Sequence, residues 1–127
     1  MRFTRITGMN PRLKGNQAER YAEAFLARHK LVLVQRNYWC RFGEIDLIMR
    51  DGETLVFVEV RMRANRNFGG AGSSITLSKQ RKVVRAARHY LLSLRTEPCC
   101  RFDAVLLSGT DGSDIEWIRN AFDGNYP

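Results

Sequence analysis

Glu44, Asp46, Glu59 and Arg61 are the residues of this chain whose types and spacing could do chemistry. They flank Asp51-Gly52, a strong signal for a tight hairpin turn. Successive side chains of a strand point to opposite faces, so Ile45, Leu47 and Met49 share one face, as do Val56, Val58, Val60 and Met62. A two-residue loop at Asp51-Gly52 makes these the same face, setting Leu47 against Val56 and Ile45 against Val58. On the other face Glu44 falls opposite Glu59, Asp46 lies diagonal to Glu59, and Arg61 continues the row. Carboxylates side by side repel and raise one another's pKa, so a positive partner is expected among them. Hard divalent cations take carboxylate oxygens, and magnesium keeps its remaining positions for water and phosphate. The expected ion is Mg²⁺ or Mn²⁺, held by Glu44, Asp46 and Glu59. The alternative is a solvated face on which each acid pairs with a nearby arginine. Ile48, Leu55 and Phe57 share the acidic face, which points instead to a covered one.

Charge distribution narrows the partner. The 127 residues carry a net charge of +8, but residues 1–95 hold 19 Lys/Arg against 7 Asp/Glu, whereas residues 96–127 hold 2 against 6. The acidic row therefore sits inside the basic part of the chain. A basic surface around a small carboxylate pocket suits a polyanion held by its phosphates while a metal ion acts on one of them. Nucleic acid is the expected partner, DNA first, with a homodimer allowed. Basic charge carried for solubility alone is the competing explanation.

Other classes receive little support. With 44% hydrophobic and 27% charged residues, the composition is that of one soluble globular domain. Residues 1–17 lack an apolar core of the kind a signal peptide carries, and no stretch approaches the ~20 apolar residues of a membrane span. A cytoplasmic protein with no membrane partner is expected. The three cysteines are odd in number, and Cys99 and Cys100 are adjacent, which argues against a disulfide framework. A zinc site built from these with His29 or His89 lacks the usual ligand spacing.

The elements that must position the acids read as an alternating α/β domain. Ala18, Tyr21, Ala22, Phe25 and Leu26 mark a helix over residues 13–29, after the start signal Asn10-Pro11. Strands are expected over 31–38, 41–50, 54–62, 100–107 and 114–120, with a turn over 109–112. Ser78 is expected to cap a helix reaching residue 94, with a core stripe of Val83, Ala87, Tyr90, Leu91 and Leu94. Its other side carries Lys79, Arg81, Lys82, Arg85 and Arg88, and cations at a helix start oppose the dipole unless anions offset them. The glycine-rich segment 63–77 reads as a flexible loop, with Arg63 and Arg66 to meet phosphates and Phe68 to pack or stack. No Walker A or GxGxxG fingerprint is present, so nucleotide-cofactor readings are rejected.

Several ordered motifs also resemble a known family. Gly15-x-x-Ala18-Glu19, Arg36-Asn37-Tyr38, Gly43-Glu44-Ile45-Asp46-Leu47-Ile48, Val56-Phe57-Val58-Glu59-Val60-Arg61-x-Arg63, Phe68-Gly69, Lys79 and Ala87-x-x-Tyr90-Leu91 are similar to the YraN-type family of small bacterial proteins, over residues 13–107. That family is similar in fold to Holliday-junction resolvases and restriction-endonuclease-like nucleases carrying a D…(D/E)xK signature. The resemblance implies a restriction-endonuclease-like single α/β domain with a mixed central sheet flanked by helices, bounded by tails at 1–12 and 121–127. It also implies a divalent-metal-dependent nuclease acting on structured DNA, with Asp46 and Glu59 as metal ligands and Glu19 as a third acid near them. Arg61 stands where the signature has lysine. Arginine stays protonated, so it can hold a phosphate but not accept a proton from water; Lys79 is the nearest candidate for the missing amine. The alternative this departure implies is a nucleic-acid-binding protein with a site that does not cut.

Overall fold

A computed structural model describes residues 11–63, 75–108 and 114–124, with side chains from residue 17 onward. Among them the order is α1 (Pro11–Arg28), β1 (Val32–Cys40), β2 (Gly43–Asp51), β3 (Thr54–Arg63), α2 (Leu77–Leu91), β4 (Cys100–Ser108) and β5 (Asp114–Phe122). The strands form one sheet in the order β1-β2-β3-β4-β5. All neighbours are antiparallel except β3 and β4, which run parallel because α2 makes the crossover between them. The fold is a single α/β domain with a mixed five-stranded sheet and two helices, consistent with a restriction-endonuclease-like architecture.

Each helix covers one face. Ala18, Ala22 and Leu26 of α1 pack on Leu47, Met49, Val56, Val58, Val105 and Leu107. Val83, Val84, Ala86 and Ala87 of α2 pack on Ile45, Ile48, Leu55, Phe57 and Phe102. Covering both faces explains why β3 reads as an almost unbroken apolar run, Leu55 to Val58 being buried throughout.

The β2–β3 turn lies one residue later than expected. Asp51 pairs with Thr54, so the loop is Gly52-Glu53, with Gly52 supplying the positive φ of 63° that the turn needs. Leu47 consequently faces Val58 rather than Val56, and Met49 faces Val56. A displacement of two in the pairing preserves which residues of β3 face which helix.

A second departure matters more. Asn37, in the middle of β1, has φ 50°, a left-handed conformation that asparagine tolerates better than most residues. It lies level with Asp46, between the pairs Arg36–Leu47 and Tyr38–Ile45. Alternation breaks there. Arg36 reaches Glu23 on α1 through two hydrogen bonds of 2.7 and 2.9 Å, whereas the Tyr38 hydroxyl hydrogen-bonds His89 Nδ1 on α2. On β2, Leu47 packs under α1 and Ile45 under α2. The expected common face of Ile45, Leu47 and Met49 is therefore not observed.

Element ends differ by a few residues. Thr76, not Ser78, caps α2: its Oγ1 accepts from the Lys79 N–H at 3.1 Å. That helix stops at Leu91 instead of residue 94. Residues 11–12, expected in a tail, are helical and 121–122 belong to β5, and Arg63 and Leu77 belong to β3 and α2 rather than the loop.

Candidate functional site

The acids meet at the seam between β2 and β3. Regular pairing runs as far as Leu47–Val58, and beyond it side chains bridge the two strands. The Asp46 Oδ2 accepts from the Val60 N–H at 2.8 Å, while the Asp46 N–H points to Glu59 Oε2 at 3.4 Å. A backbone N–H on each strand is thus directed at the other strand's carboxylate.

Glu19, Glu44 and Asp46 each bring a carboxylate oxygen to within 4.8 Å of the other two. Glu19 comes from α1, one position beyond the buried Ala18. Glu44 pairs across the β1–β2 hairpin with Trp39, on the α1 side of the sheet. Asp46, only 9% exposed, is where β2 switches sides and faces Glu19. Asn37 completes the group by donating a side-chain hydrogen bond to Glu19.

The arrangement is electrostatically costly. Burial, with Asp46 beside it, pushes the Glu19 carboxyl up to about 8, and in its protonated form it donates to Asp46. Burial likewise raises Asp46, although the Val60 N–H and Lys79 oppose this. Glu59 is 1% exposed, and burial followed by repulsion from Asp46 pushes it up to about 8, against the opposing pull of Lys79. The Lys79 Nζ lies 3.5 Å from Glu59 Oε1, so a carboxyl group faces the start of α2, where the helix's cations otherwise oppose its dipole. Opposite charges stabilise ionised carboxylates and like charges do the reverse; here the carboxylates outnumber the nearby cations.

The expected row on a single face is replaced by a cluster straddling the seam. Glu44 and Asp46 gather with Glu19 toward α1, and Glu59 faces Lys79 of α2. Beside the left-handed Asn37 of β1, β2 breaks its own alternation at Asp46, which the sequence pattern does not anticipate. Arg61 follows Glu59 on β3, and its Nε is buried with no hydrogen-bond partner among the described residues. Arg63, expected to meet phosphates, has a side chain only 9% exposed, with Nη2 3.2 Å from Glu116 Oε1 of β5. Arg66 and Phe68 lie outside the described residues. Arg81, Arg85 and Arg88 line the exposed side of α2, where Arg88 Nη2 donates to the Gly124 carbonyl at 2.7 Å. Cys40 is buried and Cys99 and Cys100 are exposed, all three as free thiols. No described helix is long and apolar enough to cross a membrane.

Two residues of this neighbourhood were not singled out for a role by sequence reasoning. Asn37 carried one signal, an asparagine inside an otherwise strand-like run, and Trp39 carried none beyond its type.

Comparison with known proteins gives the chain its relatives. The profile of the family described as "Uncharacterised protein family UPF0102" matches residues 18–107, which include Glu19, Glu44, Asp46, Glu59, Arg61 and Lys79. A UPF0102 protein of Nitrosospira multiformis is 91% identical over 118 residues, covering 93% of this chain and 99% of the relative. One from Nitrosomonas europaea is 60% identical over 110 residues, covering 87% and 93%. One from Methylobacillus flagellatus is 53% identical over 108 residues, covering 85% and 95%. With the profile spanning most of the chain and these relatives matched over nearly their whole length, the protein belongs to the UPF0102 family.

Proposed function

We propose that this protein is a divalent-metal-dependent nuclease that hydrolyses phosphodiester bonds in structured DNA. The observation that carries the proposal is the convergence of Glu19, Glu44 and Asp46 within 4.8 Å, inside a chain of net charge +8. Three acids with hard oxygen donors, two of them with carboxyls held above their ordinary range, fit an Mg²⁺ or Mn²⁺ ion. Such an ion supplies Lewis-acid polarisation of the phosphodiester and lowers the pKa of water.

The chain's own groups do the remaining work. Asp46, held by the Val60 N–H, is the rigid member of the set, and Glu19 is oriented by Asn37. Arg61 has an unspent Nε donor beside the seam, suited to a phosphate oxygen and to charge developing on it. It stays protonated and takes no proton. Lys79, 3.5 Å from Glu59, keeps that buried acid charge-compensated. The exposed Arg81 and Arg85 supply long-range attraction for the backbone.

Arginine at position 61, where the related nucleases carry lysine, favours a second reading: a nucleic-acid-binding protein that does not cut. Purified protein incubated with branched, single-stranded and duplex DNA plus Mg²⁺ or Mn²⁺ separates the two. On the nuclease reading Asp46→Asn abolishes cleavage and leaves binding in EDTA intact or slightly tighter, since one phosphate-repelling carboxylate is gone. Should neither wild type nor Arg61→Lys cut any substrate while both bind DNA, the non-catalytic reading replaces the nuclease.

A further inference from the structure

The chain has two tryptophans, and they are used in opposite ways. Trp117 is held by several partners: its Nε1 donates to Asp103 at 3.0 Å, its ring meets Phe25 and His29 edge-on, and Arg119 lies 4.1 Å above it. Trp39 is 73% exposed and makes no ring contact, hydrogen bond or cation–π contact among the described residues. A large aromatic left standing in water on a rigid strand costs apolar exposure, which an occupant would remove.

Its position indicates the occupant. Trp39 pairs across the hairpin with Glu44, placing its ring beside the Glu19–Glu44–Asp46 cluster on the same side of the sheet. Arg41 follows two residues on, in the turn. Gly43, closing that hairpin, lies against α2 so closely that a Cβ on it would be 3.3 Å from Lys82 Cβ. The hairpin end thus places an exposed ring next to the acids on the α1 side, while Arg41 in the turn and Lys82 of α2, against Gly43, bring positive charge to the end of the same hairpin. Phosphates complement those cations, and a base has the flat apolar face that a tryptophan ring accepts.

We infer that Trp39 is a stacking platform for an unpaired base beside the acid cluster, so that the substrate is DNA with a single-stranded or unstacked nucleotide at that point. This rests on the nucleic-acid reading above and adds to it the substrate class. A base inside intact duplex is stacked on both faces and cannot offer one to Trp39, whereas a fork, branch or flap can. Stacking of one base is worth about 1–3 kcal/mol by alanine substitution, which corresponds to roughly five- to a hundred-fold in affinity.

The test uses full-length protein in EDTA, with fluorescence anisotropy of single-stranded, forked and blunt duplex DNA. Trp39→Ala is expected to weaken single-stranded and forked binding about ten-fold and to change duplex binding less than about two-fold. Trp39→Phe should retain most of the affinity. Intrinsic fluorescence of wild type should be quenched by single-stranded DNA, and Trp39→Phe, keeping Trp117, should lose that quench. Equal losses on all substrates, or unchanged affinity with no quench, overturn the inference and leave the nucleic-acid reading standing. Light scattering that shows wild type dimeric and Trp39→Ala monomeric assigns the ring to a second copy of the chain and likewise overturns it. Absence of binding to any DNA by wild type overturns the proposed function, and the inference with it.

Discussion

Two buried carboxylates, Asp46 and Asp103, sit on neighbouring parts of the same sheet and receive opposite treatment. Asp103, fully buried on β4, is satisfied by its own fold: Arg101 Nε lies 3.1 and 3.2 Å from its two oxygens, Trp117 Nε1 donates at 3.0 Å, and the Asn120 N–H donates at 3.0 Å. Asp46 has one short backbone hydrogen bond, and its carboxylate neighbours include two more acids. Each lies near an asparagine with left-handed φ, 53° at Asn120 and 50° at Asn37. Asn120 gives its N–H to the buried acid itself, whereas Asn37 spends its side chain on Glu19, a second acid. A buried charge is tolerated when cations and donors surround it. Asp103 meets that condition within the chain, and the Asp46 cluster meets it only in part, which is the contrast on which the proposed metal ion rests.

The comparison breaks if Asp103 proves dispensable. Asp103→Ala leaves Arg101, Trp117 Nε1 and the Asn120 N–H without their shared acceptor, and it should cost about 3–5 kcal/mol in urea unfolding. A loss below about 1 kcal/mol would remove it from the structural class.

Glu59 is the next sharpest probe. Its folded pKa of about 8 lies above its ordinary value of 4.5, so the folded chain binds more protons than the unfolded one between those values. Its contribution to stability is present below pH 4.5 and is lost as pH rises through 8. In EDTA, Glu59→Gln should therefore gain on wild type between pH 5 and pH 9, by roughly 2 kcal/mol or more. A difference that stays flat across that range counts against the strained cluster.

A smaller effect is expected from divalent ions. At pH 8, millimolar Mn²⁺ should raise the wild-type melting temperature by about 5 °C. Asp46→Asn should show almost none of that rise, and Asp103→Asn, if it folds, should keep it. Equal shifts in wild type and Asp46→Asn would mean that the ion binds elsewhere.

Least affected in stability should be the variant carrying Arg81→Gln, Lys82→Gln and Arg85→Gln on the exposed side of α2, within about 0.5 kcal/mol of wild type. Its DNA affinity should nonetheless fall, with a salt dependence shallower by about 2–3 in log–log slope. An unchanged slope would take that helix off the binding surface.

Particular residues show how much could be read in advance. Ala18, Ala22 and Leu26 were marked as a buried stripe by spacing alone, because a 3.6-residue period admits one buried face. The β2 and β3 strands were legible from composition and the turn signal, yet their register moved by two residues, because Gly52-Glu53 rather than Asp51-Gly52 forms the loop. Asp46 and Glu59 are legible from sequence as acids within the two strands. Glu19 was reached only through resemblance, since on a helix it reads as an ordinary half-exposed acid. Arg63 reads as a phosphate contact from sequence, whereas its side chain lies against Glu116 of β5, two strands away in the sheet.

The local sequence by itself determined the elements: which residues are strand or helix, which apolar stripes turn inward, and that three acids lie in strands joined by a tight turn. These follow from period, turn chemistry and charge, properties of neighbours along the chain. Tertiary structure decided what the acids meet. Alternation breaks at Asn37 on β1 and at Asp46 on β2, so that Asp46 turns toward Glu19 and Glu44, while Glu59 stays on the α2 side with Lys79. That outcome depends on contacts between α1, β1, β2, β3 and α2, because in a strand one residue out of step sends every side chain beyond it to the other face.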